Sequence, residues 1–216
     1  MNAKRTSVAA LLLIAVVLLS GRTALATNMG FRFNKGIAPL GVPFPVGQNW
    51  VALPFTNIYT TAQDVCAALG LTPGSGVVRQ VDPATGVTTS HTCGNAGPFN
   101  LVPARCVFIL NTVPTAGILA GSQPPGASYT IAPQMVPFPR GFNLLPVPYN
   151  STACTAQDLC DQIGLPAGAT VRRLNSATGV QQSHSCGGAG AFNLVLGECV
   201  AIQYTGPPFT FMLPHF

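Results

Sequence analysis

Thr61-Ala62-Gln63-Asp64-Val65-Cys66, running on to Gly70-Leu71, returns as Thr155-Ala156-Gln157-Asp158-Leu159-Cys160, running on to Gly164-Leu165, displaced by 94 residues. The repetition spreads outward on both sides. Val42-Pro43-Phe44-Pro45 returns as Val136-Pro137-Phe138-Pro139 at the same displacement, and Ser90-His91-Thr92-Cys93-Gly94 returns as Ser183-His184-Ser185-Cys186-Gly187 displaced by 93. Residues 42–71 share 14 identities in 30 positions with 136–165, and residues 85–106 share 14 in 22 with 178–199. Self-similarity at a fixed period marks a repeated structural unit. Duplicated chemistry is unusual in so short an enzyme, so the repeat points away from catalysis.

The quoted stretch also sets the local structure. Thr61 with Asp64, and Thr155 with Asp158, have the Thr-x-x-acid spacing that satisfies free N–H groups in a first helical turn. Ala62, Val65, Cys66 and Leu69, and their counterparts Ala156, Leu159, Cys160 and Ile163, fall at i, i+3, i+4 and i+7. That is one apolar stripe. A helix of this length is too short to stand without packing on something. Around it lie short apolar or alternating runs separated by Gly- and Pro-bearing turns, which read as strands. A hairpin is expected around residues 82–85, and its counterpart around residues 175–178. The prolines near Asn49 and Asn143 place those two strands at an edge or near its end. The expected fold is mainly β with minor α. It consists of two tandem homologous β-rich units, 27–121 and 122–216, each a small antiparallel sheet covered by one short helix.

Residues 1–26 read as a secretory signal peptide: a basic start at Lys4 and Arg5, an apolar stretch, and the small-x-small site Ala24-Leu25-Ala26. The apolar stretch is well short of the ~20 residues that span a bilayer, and no later run in the mature chain is long enough to cross. Without that segment seven basic residues face five acidic ones, a net charge of +2. No basic stripe is left for a phosphate backbone to follow, so no nucleic-acid partner is expected. Charged residues make up 7% of the chain, against about 25% in ordinary globular proteins. Such a surface suits packing against other copies, an envelope or a neutral polymer.

Seven cysteines remain after the signal, and export makes disulfides the default. Cys66–Cys93 and Cys160–Cys186 are the favoured pairs. Cys93–Cys106 with Cys186–Cys199 is the competing choice. Cys154 stands where the first copy has Thr60 and is the expected free or intermolecular thiol. A metal site is the alternative: Cys66, His91, Cys93 and Cys106, repeated as Cys160, His184, Cys186 and Cys199, could each form a Cys3His zinc site. The absence of a Cys-x-x-Cys knuckle weighs against it, and no cofactor is expected.

Catalytic residues are not expected either. Each His follows a Ser at a strand end without a Gly-x-Ser-x-Gly elbow. A structural role, with the ring bonded to a neighbouring loop, is the expectation. Asp64 and Asp158 read as caps and Asp82 as a turn residue. Asp161 and Glu198 have no acidic counterparts in the first copy. Trp50 is expected to be buried. The functional expectation is an exported, non-enzymatic structural or adhesive protein at the cell surface, outside the cell or in the periplasm. It would act by self-association or attachment to an envelope or extracellular polymer. A carbohydrate- or small-ligand-binding module is the alternative, and metal binding comes third.

Overall fold

The computed structural model describes residues 31–39, 41, 47–53, 56–102, 105–122, 128–135, 141–147, 151–195 and 197–212. Residues 1–30, which include the segment expected to be a signal peptide, both Val-Pro-Phe-Pro stretches and residues 123–127 lie outside the described residues. The first unit holds β1 (Phe31–Ile37), β2 (Asn49–Ala52), β3 (Thr56–Asn57), α1 (Ala62–Ala68), β4 (Val77–Val81), β5 (Thr88–Thr92), β6 (Cys106–Leu110) and β7 (Thr115–Ser122). The second holds β8 (Ser128–Ile131), β9 (Asn143–Pro146), α2 (Ala156–Ile163), β10 (Thr170–Leu174), β11 (Gln181–Ser185), β12 (Cys199–Gln203) and β13 (Phe209–Met212). Mainly β with two short helices, the chain folds as two tandem β units.

Each unit is built on a four-stranded antiparallel sheet, ordered β2-β6-β4-β5 in the first and β9-β12-β10-β11 in the second. The registers correspond residue by residue. Val78 sits opposite His91 and Ile109, as Val171 sits opposite His184 and Ile202. Strands β2 and β9 are edges, the position in which a proline such as Pro146 disturbs least. A second, smaller sheet accompanies each: β1-β7-β3 in the first unit and β8-β13 in the second.

Both helices start as their sequence requires. The Thr61 hydroxyl accepts from Asp64 N at 3.3 Å while the Asp64 carboxylate accepts from Thr61 N at 2.8 Å. Thr155 and Asp158 make the same exchange at 3.1 and 2.8 Å. The backbone N–H bond from Thr61 holds the Asp64 carboxyl below its ordinary range, and that from Thr155 does the same for Asp158. The apolar stripe of α1 then packs with Ile37, Val51, Val78, Val107, Ile109 and Leu119 into one core. That of α2 packs with Ile131, Leu145, Val171, Val200 and Ile202 into another. Burying each such aliphatic side chain contributes about 1.5–3 kcal/mol.

A polar clasp closes each core. Asn49 is buried, and its Oδ1 accepts from Ala38 N at 2.9 Å. Its Nδ2 donates to the carbonyls of Ala38, Gly47 and Ile109 at 3.0, 2.8 and 3.2 Å. Asn143 repeats the set with Ala132, Gly141 and Ile202. One amide thus ties the end of the outer strand to the edge and centre of the main sheet.

The opposite faces of the two main sheets meet each other. Trp50, Ala52, Cys106 and Phe108 from the first pack with Leu174, Cys199 and Ala201 from the second. All four residues of β2 are therefore buried, because one face meets the helix layer and the other meets the neighbouring unit. The contacts across this seam are reciprocal. Gly47 N donates to Ser176 O at 2.7 Å, and Gly141 N, its equivalent, donates to Pro83 O at 2.7 Å. Both glycines have positive φ, 79° and 71°, a conformation that side-chain-bearing residues adopt at a cost. Cys106 and Cys199, equivalents of one another, are joined by a disulfide. A residue bonded to its own equivalent lies on the symmetry axis, as in an isologous dimer.

Two outcomes follow. The depressed carboxyls of Asp64 and Asp158 bind fewer protons folded than unfolded, so their stabilisation is present above the unfolded pKa of ~4 and is lost as pH falls through the folded values. Denaturant midpoints should therefore fall in that acid window, and the Asp64→Asn/Asp158→Asn double variant should show a shallower decline. The Cys106→Ala/Cys199→Ala variant should lose about 2–5 kcal/mol of stability, with the bonds inside each unit intact by mass spectrometry of the unreduced protein.

Candidate functional site: a cleft on the seam

Beside the packed seam, a cleft of about 430 Å³ opens between the two main sheets. Its lining includes Arg79 and Arg172, Thr88 and Gln181, Leu110 and Gln203, and Gln48 and Phe142. Each of these is a pair of equivalent positions, so the cleft straddles the same axis as the Cys106–Cys199 bond. Strand alternation explains the lining: residues 79 on β4 and 108 and 110 on β6 point away from the helix, on the face that carries Trp50 and Cys106.

Trp50 and Phe108 give the cleft an aromatic wall that Phe142 completes from the other unit. Phe108 and Phe142 stack with centroids 5.9 Å apart, and Trp50 meets both edge-on at 6.2 and 5.9 Å. Such arrangements are the favoured ones for aromatic rings. The polar part of the lining is rich in donors and contains no carboxylate among the described residues. Two of those donors, Trp50 Nε1 and Arg172 Nε, are buried without a hydrogen-bond partner among the described residues. Leaving a buried donor unpaired costs about 1–3 kcal/mol.

Two further cavities, of about 270 and 480 Å³, are equivalents of each other. One holds Pro83, Arg105, Tyr129, Ile131 and Asn143, the other Ser176, Glu198, Lys35, Ile37 and Asn49. Burial pushes the Lys35 ammonium below its ordinary pKa, with Glu198 acting the other way. The phenol of Tyr129, at the equivalent position, is pushed up by burial.

Cys66 is bonded to Cys93, and Cys160 to Cys186, each joining a helix to the end of the strand that carries the Ser-His motif. Cys154 is a free, exposed thiol whose Sγ lies 3.7 Å from Thr152 O. The competing pairs Cys93–Cys106 and Cys186–Cys199 are corrected. Cys106 and Cys199 begin strands on the seam face, opposite the helix, and reach each other instead. The same geometry separates the two Cys3His sets. Cys66 and Cys93 are spent on one another, Cys106 lies on the far face, and no group of three or more His, Cys, Asp or Glu comes together among the described residues. The three disulfides fit an oxidising environment. No helix among the described residues is long and apolar enough to cross a membrane.

His91 and His184 are buried, and their partner is a helix side chain rather than the neighbouring loop. His91 Nε2 lies 2.9 Å from Gln63 Oε1, which also accepts from Gly94 N at 2.9 Å. His184 and Gly187 meet Gln157 at 2.8 and 2.9 Å. Since a carboxamide oxygen only accepts, each ring donates from Nε2. Gln63 and Gln157 escaped the sequence reading, as did the two clasping asparagines. Their identity in both copies at the centre of the repeated motifs is the signal that could have found them.

Gln63→Leu would leave the buried His91 Nε2–H unpaired and should cost about 1–3 kcal/mol in denaturant unfolding. Gln63→Glu, which keeps an acceptor oxygen and has Ala67 rather than an acid one turn on, should retain most of that stability.

Compared with protein-family models, curated proteins and solved structures, the chain matches none.

Proposed function

We propose that this chain is an exported, non-enzymatic binding protein that attaches to an extracellular or envelope polymer through the seam cleft. The observation that carries the reading is the aromatic-walled cleft whose lining presents buried donors without acceptors. Concave sites with apolar walls and a few convergent polar groups are where ligands are commonly held. A rigid frame suits such a site, because three disulfides and two clasped cores leave little to be ordered on binding.

The disposition of titratable groups supports a non-catalytic role. Asp64 and Asp158 cap helices, Asp82 and Glu198 face Arg105 and Arg173, and Asp161 accepts from Gln157. Both buried histidines are held by glutamine. Attachment is favoured over self-association because the cleft offers unpaired donors to a ligand, whereas the outer strands β5 and β11 present Thr, Ser and Gln to water.

The test is a glycan array probed with the mature, disulfide-intact protein and with the Gln181→Leu/Gln203→Leu variant, which keeps the volume of the cleft and removes two amides. Retention by the native chain that the variant loses is the expected result. Uniform non-binding removes the proposal.

A further inference from the structure

Taking the cleft as a binding site, an inference that rests on the function proposed above, we propose that its ligand is an acidic polysaccharide recognised through the carboxylate of a uronate unit. Four features of the lining converge on that chemistry.

Charge comes first. Of the arginines whose side chains are described, Arg105 faces Asp82 at 3.7 Å and Arg173 faces Glu198 at 3.1 Å. Arg79 and Arg172, the equivalent pair in the cleft, form no ion pair among the described residues. No acid among the described residues lines the cleft to neutralise them. Two uncompensated guanidinium groups on one axis favour an anion, and their planar forks match a carboxylate.

Unmet hydrogen bonding comes second. Trp50 is 7% exposed, and its Nε1–H has no partner among the described residues; neither does the buried Nε–H of Arg172. Both groups only donate. The missing partner is therefore an acceptor, as the charge argument also requires.

Third, half-buried Phe142, backed by the buried Trp50 and Phe108, supplies an apolar surface beside the cations. A pyranose ring, with C–H groups on one face, packs on such a surface; a small inorganic anion leaves it bare. Fourth, Gln48, Gln181, Gln203 and Thr88 can both donate to and accept from ring hydroxyls. The cleft volume, about 430 Å³, lies within the range of small-ligand sites. A long polyphosphate is disfavoured because the rest of the mature chain carries no basic stripe.

The experiment is a titration of the mature, disulfide-intact protein with trigalacturonate and with its fully methyl-esterified form, which keeps the sugar and removes the charge. Trp50 is the only tryptophan in the chain, so its emission reports occupancy of the cleft, and calorimetry supplies the affinity. Trigalacturonate should bind, its ester about tenfold or more weakly, and binding should weaken as salt is raised. Arg79→Gln should lose about tenfold in affinity. Arg79 is exposed, so this variant tests the idea without disturbing the core, and Arg172→Gln should match it. Failure of trigalacturonate to bind, equal binding of acid and ester, or an unchanged affinity in Arg79→Gln each overturns the proposal. If acid and ester bind equally and Gln181→Leu/Gln203→Leu weakens both, the carboxylate proposal falls while the cleft remains the binding site.

Discussion

The bond between Cys106 and Cys199 is the constraint on which the arrangement depends. Two units of about ninety residues each could hold modest cores of their own, but small cores bury a limited share of their surface. Here each main sheet is covered on both faces, by a helix layer on one side and by the other sheet on the second. The disulfide fixes that second contact at its axis, and the reciprocal Gly47–Ser176 and Gly141–Pro83 hydrogen bonds set the rotation about it. The cleft opens beside this packed seam and is lined from both sheets.

Much of this was legible in the sequence, for physical reasons. Periodicity in the Thr61 and Thr155 stretches specifies helix start, buried face and length, since each depends on residues within one or two turns. Hairpins depend on local turns, and β4-β5 and β10-β11 form where those turns were expected. The seam was not legible. Trp50 reads as an ordinary core residue because alternation along β2 gives no sign that both faces are covered. The favoured pairs left Cys106 and Cys199 without an assigned partner and the competing choice joined each within its own unit, since nothing local distinguishes a bond within a repeat from a bond between repeats.

The polar contacts that sequence reasoning overlooked share one property: each joins elements distant in the chain through a single amide. Asn49 reaches Ala38 and Ile109, and Gln63 reaches His91 and Gly94. An amide offers both a donor and an acceptor without charge, so it can satisfy backbone or ring groups inside a core at small desolvation penalty. In a chain with 7% charged residues, neutral amides do the internal fastening that ion pairs perform elsewhere. Repetition of both fasteners in the second unit shows that they belong to the build of the module rather than to one copy's surroundings.

Fusing two equivalent units into one polypeptide frees the walls of the shared cleft to diverge. Arg79 and Arg172 have stayed alike, whereas Leu110 faces Gln203 and Gln48 faces Phe142. A true homodimer could not do this, since any substitution would appear on both sides at once. A linear ligand of the kind proposed, laid across the axis, would therefore meet a different neighbour at each end, and its two directions would not bind alike.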